Sequence, residues 1–239
     1  MLATIMPGVQ HLTRTGQFLS TVTDLRSLSP RMRRIALSAP AVAGTDWPLA
    51  CDIAIVLGGQ DRELRRRYTV RAVRGETLLV DAVLHGHGPG STWAQQLQVG
   101  DQVSFFGPRG EIVPAEADWL LALSDEAGLP AIGALAEALE TTGRTLTVLA
   151  EIAEPDEHYP LPANAQVRWL VRGQRPAGQA DLLVESLTGF TPGAGRGYAY
   201  LLGESRVVVA VRDELARFGL DRAAVYAKGY WNLNSRPTR

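Results

Sequence analysis

The feature that most constrains the fold is a change of texture at Gly107-Pro108-Arg109-Gly110. Before it, short runs rich in β-branched and apolar residues follow one another at residues 21–25, 33–37, 52–57, 67–73, 77–83 and 101–106. Turn formers punctuate them: Ser29-Pro30, Ala39-Pro40, Gly58-Gly59, Arg74-Gly75 and Val99-Gly100. Strands spaced this closely pair antiparallel, as a barrel or a sandwich. One short helix is expected over 91–97, with Ser91 or Thr92 as its cap. After the change, apolar runs at 119–123, 146–151, 167–170, 198–202 and 225–228 alternate with helical patterns at 129–141, 181–187 and 207–218. That alternation specifies a parallel sheet covered on both faces. Pro130 stands in the first turn of one helix, and Gly143 and Gly219 lie beyond the ends of two. The chain therefore reads as two domains, 1–113 and 114–239, with the boundary inside 112–117.

Composition narrows the function classes. The 239 residues carry a formal net charge of −1 and are 46% apolar, which suits a protein with a packed core and removes a global nucleic-acid footprint. Almost all basic residues are Arg, and Lys228 is the sole lysine. A single cysteine, Cys51, excludes an intramolecular disulfide, and its apolar neighbours Ile53, Ile55 and Val56 suggest a buried thiol. Neither a signal peptide nor an apolar run of about 20 residues is visible, so a cytoplasmic location without membrane contact is expected.

Three stretches carry chemistry, and two more have the composition of a site without its context. In Arg65-Arg66-Arg67-Tyr68-Thr69-Val70-Arg71, a strand presents a guanidinium, an aromatic ring and a hydroxyl in close order. An aromatic ring covers a flat cofactor, a hydroxyl bonds its edge, and a guanidinium clamps a phosphate. A solvated basic strand edge has the same composition. In His85-Gly86-His87-Gly88-Pro89-Gly90-Ser91-Thr92-Trp93-Ala94, a Gly-rich turn runs into a helix start, where backbone N–H groups suit a pyrophosphate. In a parallel sheet ligands sit at the carboxyl ends of the strands, so the residues after Leu123, Glu151, Leu170 and Leu202 form the candidate rim. Asp125-Glu126 occupy the first of these turns, where carboxylates also serve as helix caps. Gly193-Ala194-Gly195-Arg196-Gly197 precedes a strand, the wrong context for a dinucleotide fingerprint, and reads as a flexible connection. His85-x-His87 lacks the companions of a metal site.

These residues resemble the siderophore-interacting proteins, flavin-dependent ferric-siderophore reductases related to the ferredoxin-reductase superfamily. The resemblance runs through Leu28 to Arg34, Arg66-x-Tyr68-Thr69-Val70-Arg71, His85-Gly86, Gly90 to Ala94, Pro108-Arg109-Gly110, Asp125-Glu126-x-x-Leu129-Pro130-Ala131-Ile132, Trp169-Leu170-x-Arg172, Gly203-Glu204 and Lys228-Gly229-Tyr230-Trp231. It implies an N-terminal antiparallel FAD-binding β-barrel followed by an α/β parallel-sheet domain for NADPH or NADH. By the same resemblance Arg66 holds the flavin pyrophosphate, Tyr68 lies against the ring and Thr69 bonds its edge. Arg71 and His85 line that site, and Gly90, Ser91 and Thr92 form its phosphate-side turn. Asp125 and Glu126 form an acidic turn at the second-domain cleft, and Glu204, Tyr230 and Trp231 face the flavin. Lys228 would attract an anionic ferric siderophore, the implied electron acceptor, and the chain is expected to act as a monomer. The sequence departs from the family pattern at Ser124 and Ala127, at Leu202, and at Asn232-Leu233-Asn234 after the Tyr-Trp pair. A general NAD(P)H–flavin reductase with another acceptor, and a non-catalytic flavin- or siderophore-binding module, share the same flavin features.

Overall fold

A computed structural model describes residues 16–57, 64–86 and 88–233. Its first half is a closed antiparallel barrel in the order β1-β2-β5-β4-β3-β6. The strands are β1 (Gly16–Ser29), β2 (Met32–Ser38), β3 (Asp52–Val56), β4 (Arg65–Arg74), β5 (Thr77–Val83) and β6 (Gln102–Arg109). Alternate residues Ile35, Leu37, Ile53, Ile55, Leu78, Val80, Val103 and Phe105 point inward and form one buried cluster. Closure removes the exposed edges that an open antiparallel sheet would present.

Two elements extend beyond the sequence expectation. β1 begins at Gly16, because its first residues pair with β6 from Gly16↔Gly107 to Thr21↔Gln102 before the strand turns to pair with β2. A four-residue helix, α1 (Pro40–Ala43), fills the connection after β2, where a Pro at the first helical position starts a turn. The second helix, α2 (Pro89–Gln96), starts two residues earlier than expected. Gly88 precedes it and no side chain caps it. Ser91 and Thr92 are therefore not its caps: Ser91 sits inside the first turn, and its hydroxyl accepts from the Gly86 N–H at 3.2 Å.

The second half is a five-stranded sheet in the order β11-β10-β7-β8-β9. Its strands β7 (Trp119–Ser124), β8 (Leu146–Ile152), β9 (Ala165–Val171), β10 (Gly197–Glu204) and β11 (Val225–Trp231) are all parallel. The continuous apolar run of β7 serves both faces. Leu120 and Ala122 pack with α3 (Leu129–Glu140), and Leu121 and Leu123 pack with α4 (Asp181–Leu187) and α5 (Ser205–Leu215). Chain order runs outward in both directions from β7, so the topological switch point lies between β7 and β10, and its crevice opens at Ser124–Asp125 and Glu204.

The two halves meet through α3, which is apolar almost all round because it is buried between the sheet and barrel residues Met32, Ala50 and Ile112. A polar seam crosses the same junction. Arg34 binds Asp81 through two bonds of 2.7 Å, and Tyr159, from the loop after β8, donates to Asp81 at 2.5 Å. Arg71 pairs with Glu137 of α3 at 2.7 and 2.6 Å and donates its Nε–H to Tyr159 at 3.1 Å. Among the described residues, no helix is long and apolar enough to cross a membrane.

A candidate flavin site and the cleft beside it

Strand β4 brings Arg66 and Tyr68 against the start of α2. The Tyr68 hydroxyl donates to the Gly90 carbonyl at 3.2 Å. A Cβ on Gly90 would stand 3.0 Å from Tyr68 Oη and 3.4 Å from Arg66 Cγ, so any larger residue would press on both side chains. The N–H groups of that first turn have no side-chain cap. The aliphatic stem of Arg66 packs at Gly90, while its guanidinium donates to the Arg65 carbonyl at 2.9 Å. Uncapped helix-start N–H groups, with an exchangeable surface guanidinium on the neighbouring strand residue, are the donor types a diphosphate requires. Tyr68 packs against Trp93 with ring centroids 5.5 Å apart, and burial pushes its phenol well above the ordinary range, so it stays a neutral hydrogen-bond donor. His85 and Thr92 are exposed at either end of this turn, and His87 lies outside the described residues.

Thr69, next along β4, faces the other domain. Its Oγ1 lies 3.3 Å from Tyr230 Oη and 3.4 Å from Asp52 Oδ1. Lys228 Nζ is 2.7 Å from Asp52 Oδ2 and 4.9 Å from the centre of the Tyr230 ring. Thr69 and Asp52 from the barrel thus join Lys228 and Tyr230 from β11 in one grouping across the domain junction. Burial also raises the Tyr230 phenol.

Asp125 occupies the switch point. Its Oδ1 accepts from the Ala127 N–H at 2.9 Å, and its Oδ2 accepts from the Glu204 N–H at 2.9 Å and the Trp231 indole N–H at 2.8 Å. Gly203, at φ 151°, is required here, since a Cβ would come within 2.7 Å of that same Oδ2. Burial, and then the neighbouring Glu126, lift the Asp125 carboxyl from an ordinary 3.8 to about 7. Glu126 itself binds Arg172 at 2.8 Å, and Arg172 binds Glu151 at 2.6 Å.

The structure therefore brings Arg66, Tyr68 and Gly90 together at the first turn of α2, Thr69 to Tyr230, and Asp125 to Trp231. It does not bring Arg71 to the flavin face. The register of β4 against β5 shifts between Val70 and Ala72, at Arg71, and its side chain lies in the interdomain seam, where Glu137 and Tyr159 take its N–H groups. Glu204 is likewise committed elsewhere. It is 1% exposed and caps α5 by accepting from the Arg206 and Val207 N–H groups at 2.5 and 3.0 Å, while its other oxygen accepts from the Leu233 N–H at 3.1 Å. Sequence reasoning missed Asp52, although an acid opening the apolar run Cys51 to Val56 is a signal that it needs a partner. It also missed Tyr159, for which no local pattern exists. Cys51 is fully buried, and its thiol is pushed up to about 12, chiefly by burial.

A closed antiparallel barrel joined to an open parallel sheet, with a phosphate-type cradle on the barrel and a switch-point crevice on the sheet, defines a two-domain protein with an FAD-binding barrel. Residues 51–112 match the model of the siderophore-interacting FAD-binding domain, and residues 117–234 match that of the siderophore-interacting protein. A ferric vibriobactin reductase of Vibrio cholerae is 30% identical over 183 residues, covering 74% of this chain and 67% of the relative. A siderophore utilization protein from T. fusca superposes with a TM-score of 0.80 at 29% identity, covering 92% of this chain and 94% of the other. A siderophore-interacting protein from Aeromonas hydrophila superposes at 0.78 with 30% identity, covering 92% and 93%. The chain belongs to the siderophore-interacting protein family.

Proposed function

We propose that this chain is an FAD-dependent reductase that takes hydride from NADPH or NADH and reduces ferric siderophores. The observation that carries the reading is the contact of Arg66 and Tyr68 with Gly90 at an uncapped helix start, one residue from the Thr69–Tyr230 junction between the domains. One surface then offers a diphosphate clamp, an aromatic wall and an edge hydroxyl beside the cleft of a parallel sheet.

Bound flavin supplies the conversion between a two-electron hydride donor and a one-electron iron acceptor. The chain supplies binding and position. Arg66 and the first turn of α2 hold the diphosphate. Tyr68, fixed by Gly90 and Trp93, forms the wall for the ring. Thr69 offers its hydroxyl to the ring edge, with Asp52 and Tyr230 setting its direction. Asp125 holds the Trp231 indole over the switch-point crevice. No side chain is required to accept or donate a proton for electron transfer to iron. Fe(II) is held far less tightly than Fe(III) by hard oxygen ligands, so reduction by itself releases the metal. Lys228, expected at the substrate, is already neutralised by Asp52, and we assign it to the domain junction instead.

The cradle is tested by FAD titration of Tyr68→Ala and Arg66→Ala. Affinity at least about tenfold weaker in each supports the assignment, which corresponds to about 1.4 kcal/mol. Unchanged affinity in Tyr68→Ala would remove Tyr68 as the wall.

A further inference from the structure

The carboxyl ends of β8 and β9 border a cavity of about 360 Å³ that the flavin reading leaves unused. Its lining includes Glu151, Arg172, Arg175, Asp181, Leu182 and Glu185. It is tied to the switch-point crevice by a continuous bridge. Arg172 reaches Glu126, which follows Asp125, with one nitrogen and Glu151 with the other. A dinucleotide entering at the switch point therefore has a second, polar compartment within the same rim, beside the end of the second strand of the sheet. In dinucleotide sites an acid at the end of the second strand receives the ribose 2′-hydroxyl, whereas a nearby arginine receives a 2′-phosphate. Here the acid is Glu151, which is 3% exposed.

Of the two arginines in the cavity, the buried one is not available as a phosphate clamp. The Arg172 side chain is 9% exposed and held between two carboxylates at 2.6 and 2.8 Å. Arg175 is more exposed and pairs only loosely, at 3.4 Å, with Glu185, so the balance of charge in the space decides. With Glu151, Asp181 and Glu185 facing two guanidiniums, and Glu126 just behind, carboxylates outnumber cations around the space. A 2′-phosphate would add negative charge to an already acidic compartment, while a 2′-hydroxyl can donate to a carboxylate.

We propose that this cavity takes the adenosine ribose of the donor and selects a free 2′-hydroxyl, so that NADH is used in preference to NADPH. The proposal rests on the reading of the chain as a nicotinamide-dependent reductase, but its test needs no turnover. Calorimetric titration of the FAD-loaded protein compares adenosine 5′-monophosphate with adenosine 2′,5′-bisphosphate, which differ only in the 2′-phosphate. The monophosphate is expected to bind at least about tenfold more tightly, the scale of a like-charge clash. Glu151→Gln narrows that ratio to about threefold or less, by weakening the monophosphate. Because Glu151 is buried, Leu182→Trp gives a second test from the partly exposed rim: it fills the cavity and abolishes binding of both nucleotides. Equal or tighter binding of the bisphosphate overturns the proposal, as does undetectable binding of the monophosphate or binding unaffected by Leu182→Trp. A protein that binds these nucleotides as expected, yet whose flavin neither NADH nor NADPH reduces, counts against the reductase reading and not against the cavity.

Discussion

Replacing Tyr159 by Phe removes one oxygen from the seam that joins the barrel to the sheet domain. That oxygen donates to Asp81 at 2.5 Å and accepts from Arg71 Nε at 3.1 Å and from Arg34 at 3.3 Å. Tyr159 is 3% exposed, so water does not replace these partners without entering the junction. A hydrogen bond to a charged group contributes about 1.5–3 kcal/mol. All three ions that flank the hydroxyl keep another partner, since Arg34 and Asp81 still hold each other and Arg71 still holds Glu137. That places the cost toward the lower half of the range, at about 2 kcal/mol. For a chain of this length it corresponds to a fall in Tm of about 4–8 °C. Urea unfolding gives the free energy, and a double-mutant cycle with Asp81→Asn isolates the pair, with a coupling of about 1–2 kcal/mol expected. A loss below about 0.5 kcal/mol, the scatter of ordinary surface changes, would refute the claim that this seam locks the domains together.

Other substitutions probe the remaining parts of the account. The raised carboxyl of Asp125 binds its proton more tightly in the folded state than in the unfolded one, so its contribution to stability is greatest below its ordinary value of 3.8 and falls as pH rises to about 7. Relative to Asp125→Asn, the wild type is therefore expected to lose stability between about pH 4 and pH 7 and to hold a constant difference above that, as read by urea unfolding across the range. A difference that instead grows in the wild type's favour with pH would show that the proton is not held there. Glu204→Ala removes the cap of α5 and is expected to cost about 1–2 kcal/mol in the same assay, with flavin affinity unchanged. Gly90→Val drives a side chain into Tyr68 and Arg66 and is expected to weaken FAD binding about tenfold or more while leaving the circular dichroism spectrum intact.

Strand periodicity and turn formers made the barrel and the parallel sheet readable, because alternation and strand–helix spacing are local properties of the chain. The early start of β1 was not readable. Residues 16–20 become a strand through pairing with β6, more than eighty positions away. The cap of α2 was misjudged for a related reason: Ser91 is a good capping residue, but Pro89 starts the helix before it, and the hydroxyl is drawn to Gly86 instead. At the candidate site, Arg66, Tyr68, Thr69 and Gly90 were legible as a group because they sit in two short contiguous stretches. Arg71 lies in the same stretch and reads the same way, yet Glu137 and Tyr159 claim it, partners 66 and 88 positions distant. Glu204 and Lys228 follow that pattern, each satisfied by a tertiary or capping partner that a motif does not encode.

The central claim is that the barrel carries a flavin which passes electrons from a nicotinamide donor to an iron chelate, and an anaerobic absorption titration tests it in one cuvette. The account predicts flavin bands in the purified protein, their bleaching on addition of NADH or NADPH, and their return on addition of a ferric siderophore, with Fe(II) captured by a ferrous chelator. A colourless protein that takes up no FAD would contradict the flavin site. Bleached flavin that no ferric chelate reoxidises would point to a general flavin reductase, and bound flavin that neither donor bleaches would leave only a binding module.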